Sequence, residues 1–88
     1  MAYTVRILKP AARELARLGN VTGRRIARRI KWLAQSADTM KSEGLKGELA
    51  GLFKLREGDY RIIYQVLRQE KTIVIHSIRH RREVYRRK

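Results

Sequence analysis

The amino-acid sequence predicts an α+β domain in which one strand and two helices come before three antiparallel strands. In the first half of the chain, apolar residues recur at three- and four-residue intervals, which is typical of helices. In the second half they alternate with polar residues, which is typical of strands with one buried face. The length of 88 residues suits one domain with one core, so residues 1–88 are taken as a single domain.

The first half is predicted to hold one strand and two helices. Residues 3–8 alternate apolar and polar side chains and predict a strand. Pro10 suits the first residue of the next helix, and Gly19 can close that helix in a left-handed conformation. A second helix is predicted from Thr22, as a possible N-cap, to about residue 37. The positions predicted to face the core are Ala12, Leu15, Ala16 and Leu18 in the first helix and Ile26, Ile30, Leu33 and Ala34 in the second.

A group of cations falls mainly on the arc of the second helix opposite its apolar positions. These residues are Arg24, Arg25, Arg28, Arg29 and Lys31. An arc of this kind is either an ordinary solvated surface or a surface that faces phosphates or a protein partner. The sequence leaves both interpretations open. The large aromatic residues Trp32 and Phe53 are predicted to lie in the core.

The second half is predicted to contain a hairpin and a further strand. Residues 52–56 and 60–67 read as strands on either side of a Glu-Gly-Asp turn, and residues 72–78 form a third apolar run. If the hairpin loop has two residues, Gly58 and Asp59, the strand register is defined. The resulting pairs are Arg56 with Arg61, Leu55 with Ile62 and Phe53 with Tyr64.

This register predicts two faces of different character. The apolar pairs can cover the helices, whereas Lys54, Arg56 and Arg61 share the opposite face. Opposed arginines repel each other, which is unfavourable for folding but suits the binding of a polyanion. The alternative is the polar outer face of an ordinary half-exposed sheet. In the third strand, Ser77, Arg79 and Arg81 are alternate residues and therefore share a face, but the sequence does not indicate which one. Residues 83–88 predict a short helical tail.

The net charge indicates the class of partner. With 22 Lys and Arg against 8 Asp and Glu, the chain carries a formal charge of +14. Such a charge favours nucleic acid first, an acidic protein second and a membrane surface third. The chain has 0 cysteines, which excludes disulfides and thiolate metal sites. No apolar run approaches the roughly 20 residues of a membrane span, and no signal peptide is recognisable, so a cytoplasmic protein without a membrane partner is expected.

The two histidines do not predict a metal site. His76 and His80 are four residues apart in a predicted strand, hence on one face and about 13 Å from each other, which is too far to chelate one ion. We expect His76 at the edge of the core. His80 lies among arginines and is the better candidate for substrate contact.

Two sequence segments together carry a resemblance to a known family. The first is Gly47-x-x-x-Gly51-Leu52-Phe53-Lys54-Leu55-Arg56-x-Gly58-Asp59-Tyr60-Arg61-Ile62-Ile63-Tyr64, and the second is His80-Arg81-Arg82-Glu83-Val84-Tyr85. In combination they closely resemble the RelE branch of the RelE/ParE toxin superfamily of type II toxin–antitoxin systems. The resemblance covers nearly the whole chain.

The resemblance implies both a fold and an activity. The RelE-like fold is a four-stranded, largely antiparallel sheet packed on two helices. The activity is endonucleolytic cleavage of mRNA in the A site of the ribosome, with no cofactor, and a cognate antitoxin blocks it. The catalytic positions implied are Lys54, Arg61, Arg81 and Tyr85. The residues expected to bind mRNA and the rRNA of the 30S A site are Arg56, Arg79, His80, Arg82 and Lys46.

The chemistry expected of this set is attack by the RNA 2′-hydroxyl without a metal. Arg61, supported by Arg56, would stabilise the charge of the phosphorane, and Arg81 would neutralise the leaving oxygen. Lys54 and Tyr85 are alternative bases, and Leu52 stands where the best-studied branch has another lysine. Two other functions stay open: inhibition of DNA gyrase, as in the ParE branch, and nonenzymatic binding to RNA or the ribosome.

Overall fold

The computed structural model describes residues 3–37, 43–44 and 51–80. Two helices and five strands occur there, and their bounds follow in chain order. They are β1 (Thr4–Ile7), α1 (Lys9–Arg17), α2 (Gly19–Ser36), β2 (Glu43–Gly44), β3 (Phe53–Glu57), β4 (Tyr60–Leu67) and β5 (Thr72–His80). The predicted helical tail at residues 83–88 lies outside the described residues.

The strands form one mixed sheet, and the predicted α+β class is confirmed. Their order is β1-β5-β4-β3-β2, with β1 parallel to β5 and the other neighbours antiparallel. The four principal strands were predicted. The two-residue β2, in a segment without periodicity, was not.

The two helices are joined more tightly than predicted. Only Leu18 lies between them, because α2 begins at Gly19 rather than at Thr22. Gly19 has φ of +79°, a left-handed conformation that glycine adopts without steric penalty. No side-chain hydrogen bond caps the start of α2, so the predicted N-cap at Thr22 is wrong.

Both helices pack on one face of the sheet, which we call the helix face. The side chains that are most completely buried there are Ile26, Leu33, Ile62, Tyr64, Ile73 and Ile75. In α1 the buried stripe runs through Ala11, Leu15 and Leu18, at the i, i+4 and i+7 spacing of one helix face. The inward positions predicted for Ala12 and Ala16 are wrong, since both residues are exposed.

The prediction that Trp32 lies in the core is also wrong, because its side chain is 39% exposed. Successive helix residues are rotated by about 100°, so a position next to the buried Leu33 can point sideways out of the core. Phe53, by contrast, is partly buried and packs against the core as predicted.

Candidate functional site

The predicted hairpin register is confirmed pair by pair. Arg56 lies opposite Arg61, Leu55 opposite Ile62 and Phe53 opposite Tyr64. The turn depends on Gly58, whose φ of +59° is unfavourable for most other residues. Leu55, Ile62 and Tyr64 are buried on the helix face. Lys54, Arg56 and Arg61 therefore alternate onto the other side of the sheet, which we call the far face.

Strand β5 adds a third arginine to this pair. Arg79 lies opposite Arg61, which in turn lies opposite Arg56, so one arginine from each of three neighbouring strands forms a row across the far face. We call Arg56, Arg61 and Arg79 the arginine row. With strands about 4.8 Å apart, the row spans roughly 10 Å between its outer Cα atoms. The sequence did not indicate which face of the sheet Ser77 and Arg79 occupy. The register places both on the far face, because Ser77 pairs with Ile63 and Arg79 with Arg61.

Lys54 lies beside this row on the same strand as Arg56. It is two residues from Arg56 and opposite Ile63, so it shares the far face. Arg56 and Arg79 are exposed, whereas Lys54 and Arg61 are partly buried.

A β-bulge separates the two histidines. The β4–β5 register shifts between Ile63 and Tyr64, which pair with Ser77 and Ile75, so His76 is an extra residue in β5. The His76 imidazole lies 3.3 Å from the side-chain oxygen of Gln65. Gln65 stands between Tyr64 and Val66, which both face the core, so Gln65 and His76 are on the far face.

His80 lies on the other side of the sheet. It pairs with Tyr60, and the two rings make an edge-to-face contact with centroids 4.9 Å apart. Both rings line a cleft of about 340 Å³ between the hairpin and α2, together with Thr22, Arg25 and Ile26. The prediction that His76 and His80 share a face is wrong, because the bulge inverts the alternation between them.

The helix face carries its own charged cluster. Glu57 accepts a hydrogen bond from Arg25 at 3.3 Å and lies 3.6 Å from Nε of Arg29. The guanidinium of Arg29 is stacked over the Trp32 ring, 4.2 Å from its centroid. These contacts define a second group of cations, separated from the arginine row by the sheet itself.

The structure thus brings together part of the predicted site. Lys54, Arg56, Arg61 and Arg79 share the far face, whereas His80 does not. The remaining predicted site residues, Lys46, Arg81, Arg82 and Tyr85, lie outside the described residues. Sequence reasoning missed the far-face position of His76, because nothing in the apolar run before it marks a bulge.

Two features of the described ranges concern metal ions and membranes. No cluster of three or more His, Cys, Asp or Glu residues suitable for a metal ion occurs in them. None of their helices is long and apolar enough to cross a membrane.

The described residues form a small α+β fold with a row of arginines beside a lysine on one strongly basic sheet face. Comparison with known proteins identifies the family. Residues 5–85 match the family model described as the ParE toxin of type II toxin–antitoxin systems. The chain belongs to this family, within the RelE/ParE superfamily, and its relatives place it on the RelE side.

Three relatives illustrate the similarity. Toxin RelG of Mycobacterium tuberculosis is 34% identical over 90 residues, covering 99% of this chain and 100% of that protein. The RelBE2 toxin–antitoxin complex of M. tuberculosis contains a chain with 30% identity and a TM-score of 0.82, with 92% and 93% of the two chains covered. The archaeal RelE–RelB complex of Pyrococcus horikoshii matches with 29% identity and a TM-score of 0.73, covering 92% and 97%.

Proposed function

We propose that this type II toxin cleaves mRNA bound in the A site of the ribosome, by attack of the RNA 2′-hydroxyl and without a metal. The observation that supports the proposal most directly is the arginine row with Lys54 beside it on the far face. Opposed like charges destabilise a sheet, so a surface of this kind is better explained by a bound polyanion than by folding. A toxin that acts on translating ribosomes works in the cytoplasm.

The proposed reaction is an internal transesterification. The 2′-hydroxyl loses its proton, its oxygen attacks the phosphorus, and the bond from phosphorus to the 5′-oxygen breaks. The 5′-oxygen takes up a proton, so the products are a 2′,3′-cyclic phosphate and a 5′-hydroxyl. No water is consumed. The protein must therefore move protons and stabilise the additional negative charge on the phosphorane.

Arg61 is the best-placed residue for charge stabilisation. It lies in the middle of the arginine row, so a phosphate above it is also within reach of its two neighbours, Arg56 and Arg79. Guanidinium groups bind phosphate oxygens through two parallel N–H donors, and they stay charged throughout the reaction. Arg61 is assigned to the nonbridging oxygens, with Arg56 and Arg79 holding the neighbouring backbone.

Proton transfer needs a different residue type, because a guanidinium is not a base at neutral pH. Lys54 lies on the far face and has an amine that can exchange a proton. Tyr85 is the second candidate for this role, and Arg81 is assigned to the leaving oxygen, both on the resemblance alone. Lys46 and Arg82 are assigned to RNA binding on the same basis.

A protein antitoxin is the proposed regulator. Crystal structures of relatives from M. tuberculosis and P. horikoshii contain the toxin in complex with an antitoxin. The formal charge of +14 favours an acidic partner. A bound antitoxin that covers the far face would block access of the message to the arginine row.

Substitution of Arg61 tests the proposed cleavage. In Arg61→Gln the central donor of the arginine row is lost, and we expect the cleavage rate of ribosome-bound message to fall by about 100-fold or more. The rate is measured by mapping and quantifying message ends on purified translating ribosomes. Arg68→Gln is the matched control, because Arg68 is an exposed arginine in the turn after β4.

The same assays separate the alternative functions. An Arg61→Gln protein that cleaves as fast as the wild type would disprove the role of the arginine row. A wild-type protein that binds ribosomes without cutting would instead support a nonenzymatic RNA-binding protein. Inhibition of DNA supercoiling by gyrase, without cleavage of message, would support the ParE-type activity suggested by the family description.

A further inference from the structure

Helix α2 carries a second basic surface that the proposed cleavage does not use. We call Arg24, Arg25, Arg28, Arg29, Lys31 and Trp32 the α2 basic surface. Its side chains occupy a continuous arc of the helix, opposite the buried Ile26, Ile30 and Leu33. Along the helix axis the arc is about 12 Å long, at 1.5 Å per residue.

This surface lies on the opposite side of the molecule from the arginine row. The buried side of α2 packs on the helix face, and the arginine row is on the far face. A single strand bound across the far face would have to turn around the hairpin, where Arg25 lies beside Gly58, to reach the exposed side of α2. If the α2 basic surface binds a polyanion, that polyanion is a different segment from the one to be cleaved.

Glu57 organises the part of this surface nearest the sheet. Its two carboxylate oxygens face the guanidinium groups of Arg25 and Arg29, at 3.3 and 3.6 Å. These pairs leave the side chain of Arg25 53% exposed and that of Arg29 33% exposed. Glu57 thus pairs with both arginines while their side chains stay partly exposed.

The aromatic residue of the surface is positioned for stacking. The Arg29 guanidinium covers the Trp32 ring at 4.2 Å from the centroid, and the Trp32 side chain remains 39% exposed. Stacked arginine and tryptophan planes are a favourable platform for a nucleobase, which stacks on aromatic rings and guanidinium groups alike.

We propose that the α2 basic surface binds the backbone of a folded RNA that is not the substrate strand. If the proposed function is correct, this RNA is ribosomal RNA next to the message. The composition favours RNA over a protein. Arginine and tryptophan also occur at protein interfaces, but the apolar core of such an interface is missing from this surface, since five of its six side chains are cations. Interfaces with nucleic acid are polar and strongly positive.

The test removes three exposed cations from this surface and compares the result with the loss of three exposed cations elsewhere. The first variant is Arg24→Gln with Arg28→Gln and Lys31→Gln. The matched control is Lys9→Gln with Arg13→Gln and Arg68→Gln. All six residues are exposed, and each variant loses the same charge. Both variants also carry Arg61→Gln, so binding is measured without cleavage.

The probe is protein-free small-subunit ribosomal RNA, and the signal is the fluorescence of Trp32, the only tryptophan in the chain. We expect the RNA to quench this fluorescence. We also expect the α2 variant to bind at least tenfold more weakly than the control. A plot of log K against log salt concentration should also have a slope that is less steep by about 2 in the α2 variant. Each phosphate contact contributes about 0.7–0.9 to that slope, and three cations are removed.

Three outcomes would overturn the proposal. The first is equal weakening in the two variants, because the effect would then be one of net charge. The second is unchanged binding in the α2 variant. The third is quenching of Trp32 by the purified antitoxin and not by RNA, which would assign the surface to the protein partner. All of these outcomes are independent of cleavage, so a failure of the proposed ribonuclease activity would be recognised separately.

Discussion

At the scale of single residues, the site depends on which side of the sheet each side chain occupies. Simple alternation explains Lys54, Arg56 and Arg61, whose positions follow from a two-residue turn. It fails for His76, because the bulge inserts one residue between Ile75 and Ser77. A bulge of this kind turns a side chain that would face the core towards the far face.

The two histidines offer a direct test of this geometry. We expect His76→Gln to lower the single-turnover cleavage rate of ribosome-bound message by about fivefold. Glutamine can still hydrogen-bond to Gln65 but lacks the imidazole ring, and the loss of one contact of about 1 kcal/mol between that ring and a strand on the far face corresponds to about fivefold in rate. We expect a smaller change in His80→Gln, because His80 lies in the cleft on the helix face.

The comparison is informative because the two substitutions are chemically identical. If His80→Gln lowered the rate more than His76→Gln, the message would have to pass over the hairpin towards the helix face. The proposed position of the substrate on the far face would then be wrong.

At the scale of secondary-structure elements, most of the sheet could be predicted from the sequence. The turn residues and the alternation on either side define the β3–β4 register, since a shift of one residue would expose the apolar pairs. Two features could not be predicted. The two-residue β2 has no periodicity of its own, and α2 begins at Gly19 without a capping side chain.

The arginine row is an element-level feature with an expected effect on stability. Arg56→Gln removes one of three neighbouring cations, so we expect the free energy of unfolding to rise by about 0.2–1 kcal/mol. The cleavage rate should fall in the same variant, because a phosphate contact is lost. Urea denaturation measures the first effect, as a higher midpoint with an unchanged slope.

Arg68→Gln again supplies the comparison for stability, because Arg68 lies in a turn and not opposite another arginine of the sheet. A midpoint that rises equally in both variants would mean that net charge, and not the row, is responsible. A midpoint that falls in Arg56→Gln would show that the row is stabilising and would remove the argument that it is kept for a ligand.

At the scale of the whole molecule, the charge of +14 indicates a class of partner but not the surfaces that would bind it. In the described ranges, two groups of basic residues lie on opposite sides of the sheet, one on the far face and one on α2. This division could not be read from the sequence, because it depends on how α2 packs and on Trp32 lying outside the core. Residue type alone predicts a buried tryptophan. On α2, however, the adjacent Leu33 occupies the buried side, and Trp32 lies on the exposed arc with the cations.

Such a charge has a consequence for the stability of the free protein. Folding brings the cations closer together, so their mutual repulsion opposes the compact state. Salt screens this repulsion, with a screening length that falls from about 30 Å at 0.01 M to about 3 Å at 1 M. We therefore expect the Tm of the free protein to rise with sodium chloride concentration. For a domain of this size, a gain of about 1 kcal/mol corresponds to about 4–8 °C.

The opposite result has a clear physical meaning. Ion pairs such as those of Glu57 with Arg25 and Arg29 are weakened by salt. A Tm that falls with salt would show that these pairs outweigh the repulsion. The variant with Arg24→Gln, Arg28→Gln and Lys31→Gln keeps the pairs and lowers the repulsion. If repulsion dominates, its Tm must be higher than that of the wild type at low salt, and the difference must shrink as salt is added.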